Sequence, residues 1–542
     1  MKYGFVIDNR KCIGCHACTT ACKSEHQVPI GVNRTWVKQV EKGEFPNTRR
    51  LFSVMRCNHC TDAPCVEICP VEALYFRDDG IVDFDKDRCI GCKSCMQACP
   101  YDALYIDPES HTAAKCNYCA HRIDIGLEPA CVNVCPEHAI ISGDMENPES
   151  EIATLLARQQ TKVRKPDKGT VPNLFYIDAD DLSLQPSATE RSKNYYWNSQ
   201  DLGVGHFAKE AEKMAFSNGD LVNAVMEANG QTTSAGELAQ KGSAKSVDVL
   251  LGKGRRIYDA PDKGILWGWE VSGYVWTKAI AAGAFLVPFL CWVIGWIDVL
   301  QPVMWWGLGI GVLFLGLTGA LLVKDLDRPD RFLNVLFRPQ WGSWLVRGGY
   351  AITVYGGLLT LLGLSNWLEW DVVSNITMWL TGITAVIVAV YTAFLFAQAK
   401  GRDFWQSPTL SIHMLLHSFM AGAAVFGILS LFVEGGSAWL PYLRLVLLYS
   451  IPLNLATMLI ELTTTHPTAD AKRTVDMITK GRYRNSFWAG VIFVGNIIPW
   501  AILLVPNIDY SLILTSAGVL TLVGIYVTEH IWVEAPQRIP LS

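Results

Sequence analysis

The chain has 542 residues, of which half are hydrophobic and 18% charged, with a formal net charge of -5. Its mean hydropathy is +0.20. This profile excludes a disordered or collagen-like chain, and it excludes a nucleic-acid binder, which needs a basic excess. The average hides a division, because 16 of the 17 cysteines lie between Cys12 and Cys135 while the long apolar runs all follow Trp276. A multidomain protein is expected: a cysteine-rich region at 1–145, a polar extension and linker at 146–262, and a membrane region at 263–542.

The N-terminal run MKYGFVIDNRKCIGC has neither a charged-then-apolar export signal nor a twin-arginine pair. Thiols kept in a reducing compartment argue for metal rather than for a disulfide scaffold. They fall into four groups of four. Cys12, Cys15, Cys18 and Cys22 form the first, and Cys57, Cys60, Cys65 and Cys69 the second. Cys89, Cys92, Cys95 and Cys99 form the third, and Cys116, Cys119, Cys131 and Cys135 the fourth. Three closely spaced thiolates wrap one iron–sulfur cubane while the fourth reaches a neighbouring cluster. Zinc prefers two ligand pairs separated by a long spacer, so only the fourth group also reads as a zinc site. Sixteen thiolates at four per cubane give four [4Fe–4S] clusters. Gly14 and Gly91 lie inside the tight loops, where a missing Cβ lets backbone amides approach sulfide.

These cysteine groups resemble the four-cluster electron-transfer subunit of molybdopterin oxidoreductases, the partner in dimethyl sulfoxide, polysulfide and tetrathionate reductases. The resemblance implies an α+β fold of two ferredoxin-like units. It also implies that the first group pairs with the fourth and the second with the third. One cluster then takes Cys12, Cys15, Cys18 and Cys135, and the next Cys22, Cys116, Cys119 and Cys131. The second pair takes Cys57, Cys60, Cys65 with Cys99, and Cys69 with Cys89, Cys92 and Cys95. Strands are expected at Lys2–Ile7, Leu51–Met55 and Gly80–Phe84, with helices after the last cysteine of each group.

In the extension, Asn173–Ala179 and Leu182–Leu184 read as short strands and Phe207–Ala228 as weakly helical. Gly230–Gly254 reads as a flexible linker, and Tyr195, Tyr196 and Trp197 as a packing patch. Eight apolar segments follow, centred near Phe285, Leu313, Val354, Val386, Ala423, Ser450, Val494 and Leu520, each long enough to span a bilayer. An eight-helix transmembrane bundle is therefore expected. Loops on the side shared with the cysteine region carry twelve Lys and Arg against one on the other. By the positive-inside rule the iron–sulfur region faces the cytoplasm from the inner membrane.

The run Asp325-Leu-Asp-Arg328-Pro329-Asp-Arg331-Phe332, with Ala281-Ala-Gly283 and Tyr391-Thr, is similar to the NrfD/polysulfide-reductase membrane family. That family implies a quinone-reactive protein without haem, its quinone held among the first four helices. Ionisable groups at lipid depth are costly and so mark sites. Tyr274, Thr277, Lys278 and Tyr391 are candidates to bind a quinone carbonyl. Lys278 reads equally as a snorkelling residue, and Tyr391 as an interfacial tyrosine. His413 and His417, one turn apart on the fifth helix, and Glu461 on the sixth read as a proton path or as interhelical polar contacts. No further histidine is expected at lipid depth, and Glu461 is the main buried carboxylate.

No residue pattern marks a substrate-converting centre, so no catalytic residue is assigned. The resemblance implies a molybdopterin-containing catalytic subunit as partner, and menaquinone or ubiquinone of the membrane pool as substrate. Oxidation of sulfite, another sulfur compound or formate suits the orientation. Quinol oxidation feeding a polysulfide, dimethyl sulfoxide, tetrathionate or nitrite reductase is the alternative. A redox-driven ion-translocating module is a third reading, and it requires several buried carboxylates.

Overall fold

The computed structural model describes residues 1–44, 47–189, 254–295, 300–433, 436–505 and 510–542. The chain divides into two compact units: Met1–Val66 with Ala73–Ile265 and Pro540–Ser542, and Glu67–Glu72 with Leu266–Ile539.

The first unit is α+β. Its main sheet has four strands in the order Ile140–Asp144, Tyr3–Asp8, Leu174–Ile177 and Thr161–Lys162. Tyr3–Asp8 pairs in parallel with Leu174–Ile177 and antiparallel with Ile140–Asp144. A central strand is covered on both faces and so reads as a continuous apolar run, and Phe5, Val6 and Ile7 are all buried. A second sheet orders Gly254–Tyr258, Thr35–Glu44 and Asn47–Arg56. The strand expected at Leu51–Met55 is thus the inner half of a ten-residue strand, and the one at Gly80–Phe84 is Val82–Phe84.

Two expectations are corrected here. The helices do not follow the last cysteine of each group. They hold the third, as Ala17–His26 holds Cys18 and Cys22, Pro64–Glu67 holds Cys65, Ser94–Ala98 holds Cys95, and Ala130–Asn133 holds Cys131. Asp181–Leu184 is a helical turn rather than a strand, because Asp180 Oδ1 accepts from Leu182 N at 3.0 Å and caps it. The described flanks of 146–262 supply strands to both sheets, one of them, Leu174–Ile177, within the strand expected at Asn173–Ala179. Phe207–Ala228, Tyr195–Trp197 and Gly230–Lys253 lie outside the described residues.

Among the described residues, the second unit holds eight helices long and apolar enough to cross a membrane. They are Trp269–Val293, Leu300–Lys324, Trp344–Trp367, Asp371–Gln398, Leu410–Leu429, Leu440–Thr463, Ser486–Leu504 and Tyr510–Glu534. The first is the most enclosed and runs through the bundle core, with Ala281, Ala282 and Ala284 fully buried. Small residues let helix backbones touch in lipid. A Cβ at Gly283 would collide with the Ser418 carbonyl, and one at Gly422 with the Gly283 carbonyl, so the first and fifth helices cross in backbone contact. The eighth helix overturns one reading of the bundle, since it carries a second buried carboxylate, Glu529, 2% exposed.

Candidate functional site

Two groups of side chains are candidates: the cysteine thiols, all but Cys69 and Cys291 in the first unit, and polar groups within the helices of the second. No disulfide joins any of the 17 cysteines. Local conformation explains how the thiols converge. Gly14 and Gly91 both take φ +70°, followed two residues later by His16 and Lys93 at φ 61°, so the loops of the first and third groups wind alike. A Cβ at Gly14 would also strike the Phe52 ring. Backbone amides turn toward sulfur: Gly91 N and Ala113 N each lie 3.4 Å from Cys89 Sγ, and Ala139 N lies 3.2 Å from Cys135 Sγ.

Cys12 lies within electrostatic reach of Cys15 and Cys135, and a single pocket is lined by Cys12, Cys15, Cys18 and Cys135. Cys22 gathers with Cys116, Cys119 and Cys131, while Cys57, Cys60 and Cys65 gather with Cys99. Burial pushes the Cys18 thiol up to about 11 and the Cys119 thiol up to about 12. Such thiols shed their protons when a strong Lewis acid binds them. The donor set, four sulfurs around one space with amides directed at them, fits iron–sulfur cubanes.

Two buried cations accompany the sulfurs, and neither is expected from the sequence. Arg56, fully buried at the inner end of its strand, donates from Nη1 to Cys131 Sγ at 3.1 Å and stacks over Phe5 at 4.5 Å. Burial opposes its charge, yet the Cys131, Cys116 and Cys18 sulfurs outweigh that and hold it protonated. Lys115, also buried, donates to the Val82 and Cys116 carbonyls and acts on Cys57. His26, whose burial holds it down to about 4, contacts Cys119 Sγ at 3.1 Å.

Within the bundle, three of the four quinone candidates converge on Thr392 of the fourth helix. Lys278 Nζ donates to Thr392 Oγ1 at 2.6 Å and to the Ala389 carbonyl at 3.1 Å, and lies 4.7 Å from the centre of the Tyr391 ring. Tyr274 also reaches Thr392 and Tyr391. Lys278 is 1% exposed and does not snorkel; Tyr274 and Tyr391 are 3% exposed, so Tyr391 is no interfacial belt residue. Gly348 of the third helix makes room for the Tyr391 ring, which a Cβ there would overlap. Thr277 is placed elsewhere, bonding Thr318 Oγ1 at 2.9 Å and the Tyr274 carbonyl.

The second polar group stands beside this one. His417 Nδ1 and Glu529 Oε1 are 2.7 Å apart, and the His413 and His417 rings are 4.1 Å apart between centres. His413 lies against the Trp532 ring, whose Nε1 donates to Glu461 Oε2 at 3.3 Å. Glu529 was missed because it lies in the Thr-Glu-His end of an otherwise apolar segment. Its spacing from Trp532, three residues on along one helix face, was the available signal. In the loop after the second helix, Arg328 pairs with Asp330 through two nitrogens, at 3.0 and 2.9 Å, consistent with a loop anchor.

Comparison with known proteins follows the same division. Residues 11–74 and 48–145 match models described as 4Fe-4S dicluster domains, and residues 260–539 match the model described as polysulphide reductase, NrfD. Over 189 residues the sequence is 47% identical to the B component of tetrathionate reductase from Salmonella typhimurium, covering 34% of this chain and 76% of the relative. It is 44% identical over 181 residues to the B component of polysulfide reductase from Wolinella succinogenes, covering 32% and 94% respectively. The iron-sulfur component of a putative dimethyl sulfoxide reductase from Halobacterium salinarum is 37% identical over 246 residues, covering 40% and 92%. Since the residues matched at 260–539 make up more than half of the 542, this multi-pass membrane protein, with its N-terminal 4Fe-4S dicluster domains, belongs to the NrfD polysulphide reductase family.

Proposed function

We propose that this chain carries electrons between a catalytic partner subunit and the membrane quinone pool through four [4Fe–4S] clusters, ligated in the four sets named above. Cubanes supply one-electron storage; the protein positions them through its thiols and backbone amides and offsets their negative charge with Arg56 and Lys115. The observation that carries the quinone reading is the fully buried group of Lys278, Thr392, Tyr274 and Tyr391. A lysine ammonium and tyrosine hydroxyls in an apolar bundle suit a carbonyl whose oxygen gains negative charge on reduction.

The catalytic partner in this reading is a molybdopterin enzyme. Oxidation of sulfite, a related sulfur compound or formate suits an iron–sulfur region on the cytoplasmic face, which the loop charges favour. The reverse direction, quinol oxidation feeding a terminal reductase, draws support from relatives named for tetrathionate, polysulfide and dimethyl sulfoxide reduction. Both directions use the same groups. The test is reoxidation of the dithionite-reduced, purified full-length protein by menaquinone or ubiquinone analogues, followed by iron–sulfur absorbance. Lys278→Met and Tyr391→Phe should each slow it about 10-fold or more with unchanged cluster spectra. Equal rates in both variants remove these residues from the site.

A further inference from the structure

Reduction of one quinone to quinol consumes two electrons and two protons, and oxidation releases them. Reduced cubanes supply or accept the electrons one at a time and carry no protons, so the bundle must move two protons to or from the quinone oxygens. Lys278 enters its helix nine residues after Trp269, about 14 Å at 1.5 Å per residue, too deep to exchange freely with bulk water. Its hydrogen bonds go to a hydroxyl and a carbonyl, and neither partner is an acid.

The acid within electrostatic reach of both Lys278 and Tyr274 is Glu529. It is 2% exposed, and its described hydrogen-bond partner is His417 Nδ1 at 2.7 Å. His417 is 0% and His413 1% exposed. Among the described residues, His417 Nε2 and both ring nitrogens of His413 have no protein partner. Unpaired nitrogens of this kind are costly unless they exchange protons or hold water. Going outward from Lys278, the groups run Glu529, His417 and His413; Glu461, two residues from the end of the sixth helix, is separated from His413 by the Trp532 ring. All stand at the end of the bundle where the first and fifth helices begin and the sixth and eighth finish.

We propose that Glu529, His417 and His413 form a proton relay serving the quinone oxygen beside Lys278 and Tyr274. This rests on the quinone reading above. Charge favours a relay over a bound metal ion, although two imidazoles and a carboxylate converge. A dication there would have Glu529 as the single carboxylate among its described ligands, with Lys278 close by in an apolar bundle.

The relay is tested in the full-length protein with its native partner, using Glu529→Gln, His417→Gln and His413→Gln, and His530→Gln as a control that bonds Glu534 instead. Reoxidation at saturating menaquinone or ubiquinone analogue should fall about 10- to 100-fold in the three relay variants. Analogue affinity and cluster EPR should stay unchanged, the solvent deuterium isotope effect should rise, and Glu529→Asp should restore part of the rate. Independently of turnover, the oxidised-minus-reduced infrared spectrum should show a carboxyl band that shifts in D₂O and is missing from Glu529→Gln. Wild-type rates and an unchanged carboxyl band in Glu529→Gln overturn the relay alone. So does one equivalent of transition metal, beyond the cluster iron, that is lost from His413→Gln. A wild-type protein that no quinone reoxidises overturns the quinone reading and the relay with it.

Discussion

Replacement of Arg56 by Gln should lower the reduction potentials of the clusters held by the first and fourth cysteine groups. The side chain is fully buried, has no carboxylate among its described partners, and reaches Cys131, Cys116 and Cys18 with its charge. Its Nη1 is 3.1 Å from Cys131 Sγ, which puts the charge about 6 Å from a cluster centre; at an effective dielectric of about 20 the attraction for one added electron is about 3 kcal/mol. With about 59 mV per factor of ten for one electron, that is about 120 mV. Water entering beside the shorter glutamine returns part of this, so a fall of about 60–120 mV is expected. The sign follows from charge, since reduction makes a cluster more negative and a nearby cation favours it. EPR-monitored redox titration of the full-length protein measures it, and Arg56→Lys, which keeps the charge, should lose less. Potentials all within about 15 mV of wild type, with four clusters still present, would refute the electrostatic role.

Stripping iron from the clusters should abolish the cooperative melting of the first unit while the helical signal of the second persists, because the buried thiols and Arg56 then lose their partners. Far-ultraviolet dichroism on heating checks this. Cys99→Ser should cost the cluster shared with Cys57, Cys60 and Cys65, leaving three by EPR spin count; loss of a different cluster would contradict the pairing. Gly348→Ala should displace the Tyr391 ring at a cost of about 1–3 kcal/mol and slow quinone turnover, with cluster spectra intact. Thermal unfolding together with the reoxidation assay separates the two effects. Thr277→Val, which touches Thr318 and not Lys278, should turn over quinone at close to the wild-type rate.

How much was legible depended on whether the chemistry is local in sequence. Ligand spacing is local, so the cysteine groups stand out before any fold is known, and eight apolar runs give eight helices. Lys278 stood out because a lone ammonium interrupts an apolar run. Arg56 did not, since Arg49 and Arg50 precede it on the same strand and are exposed; only the pairing of that strand with Thr35–Glu44 turns its end inward. Glu529 sits beside His530, which is 40% exposed, so the pair resembles the polar end of a helix. Only packing against the fifth helix separates their roles. The strand Leu174–Ile177 was readable, but its parallel partnership with Tyr3–Asp8 spans some 170 residues and has no local signature.

The contact between Gly283 and Gly422 fixes how closely the first and fifth helices hold the chemistry around it. Lys278 precedes Gly283 by five residues and His417 precedes Gly422 by five, so each stands about 7.5 Å along its own helix from the crossing, on the same side. With no side chain between the backbones, the two helices approach here more closely than any larger residue would allow. A tilt of about 10° would change the separation of ammonium and imidazole by about 1.3 Å without altering the depth of either. The spacing of ammonium and imidazole is thus set by two hydrogen atoms where any other residue would place a carbon.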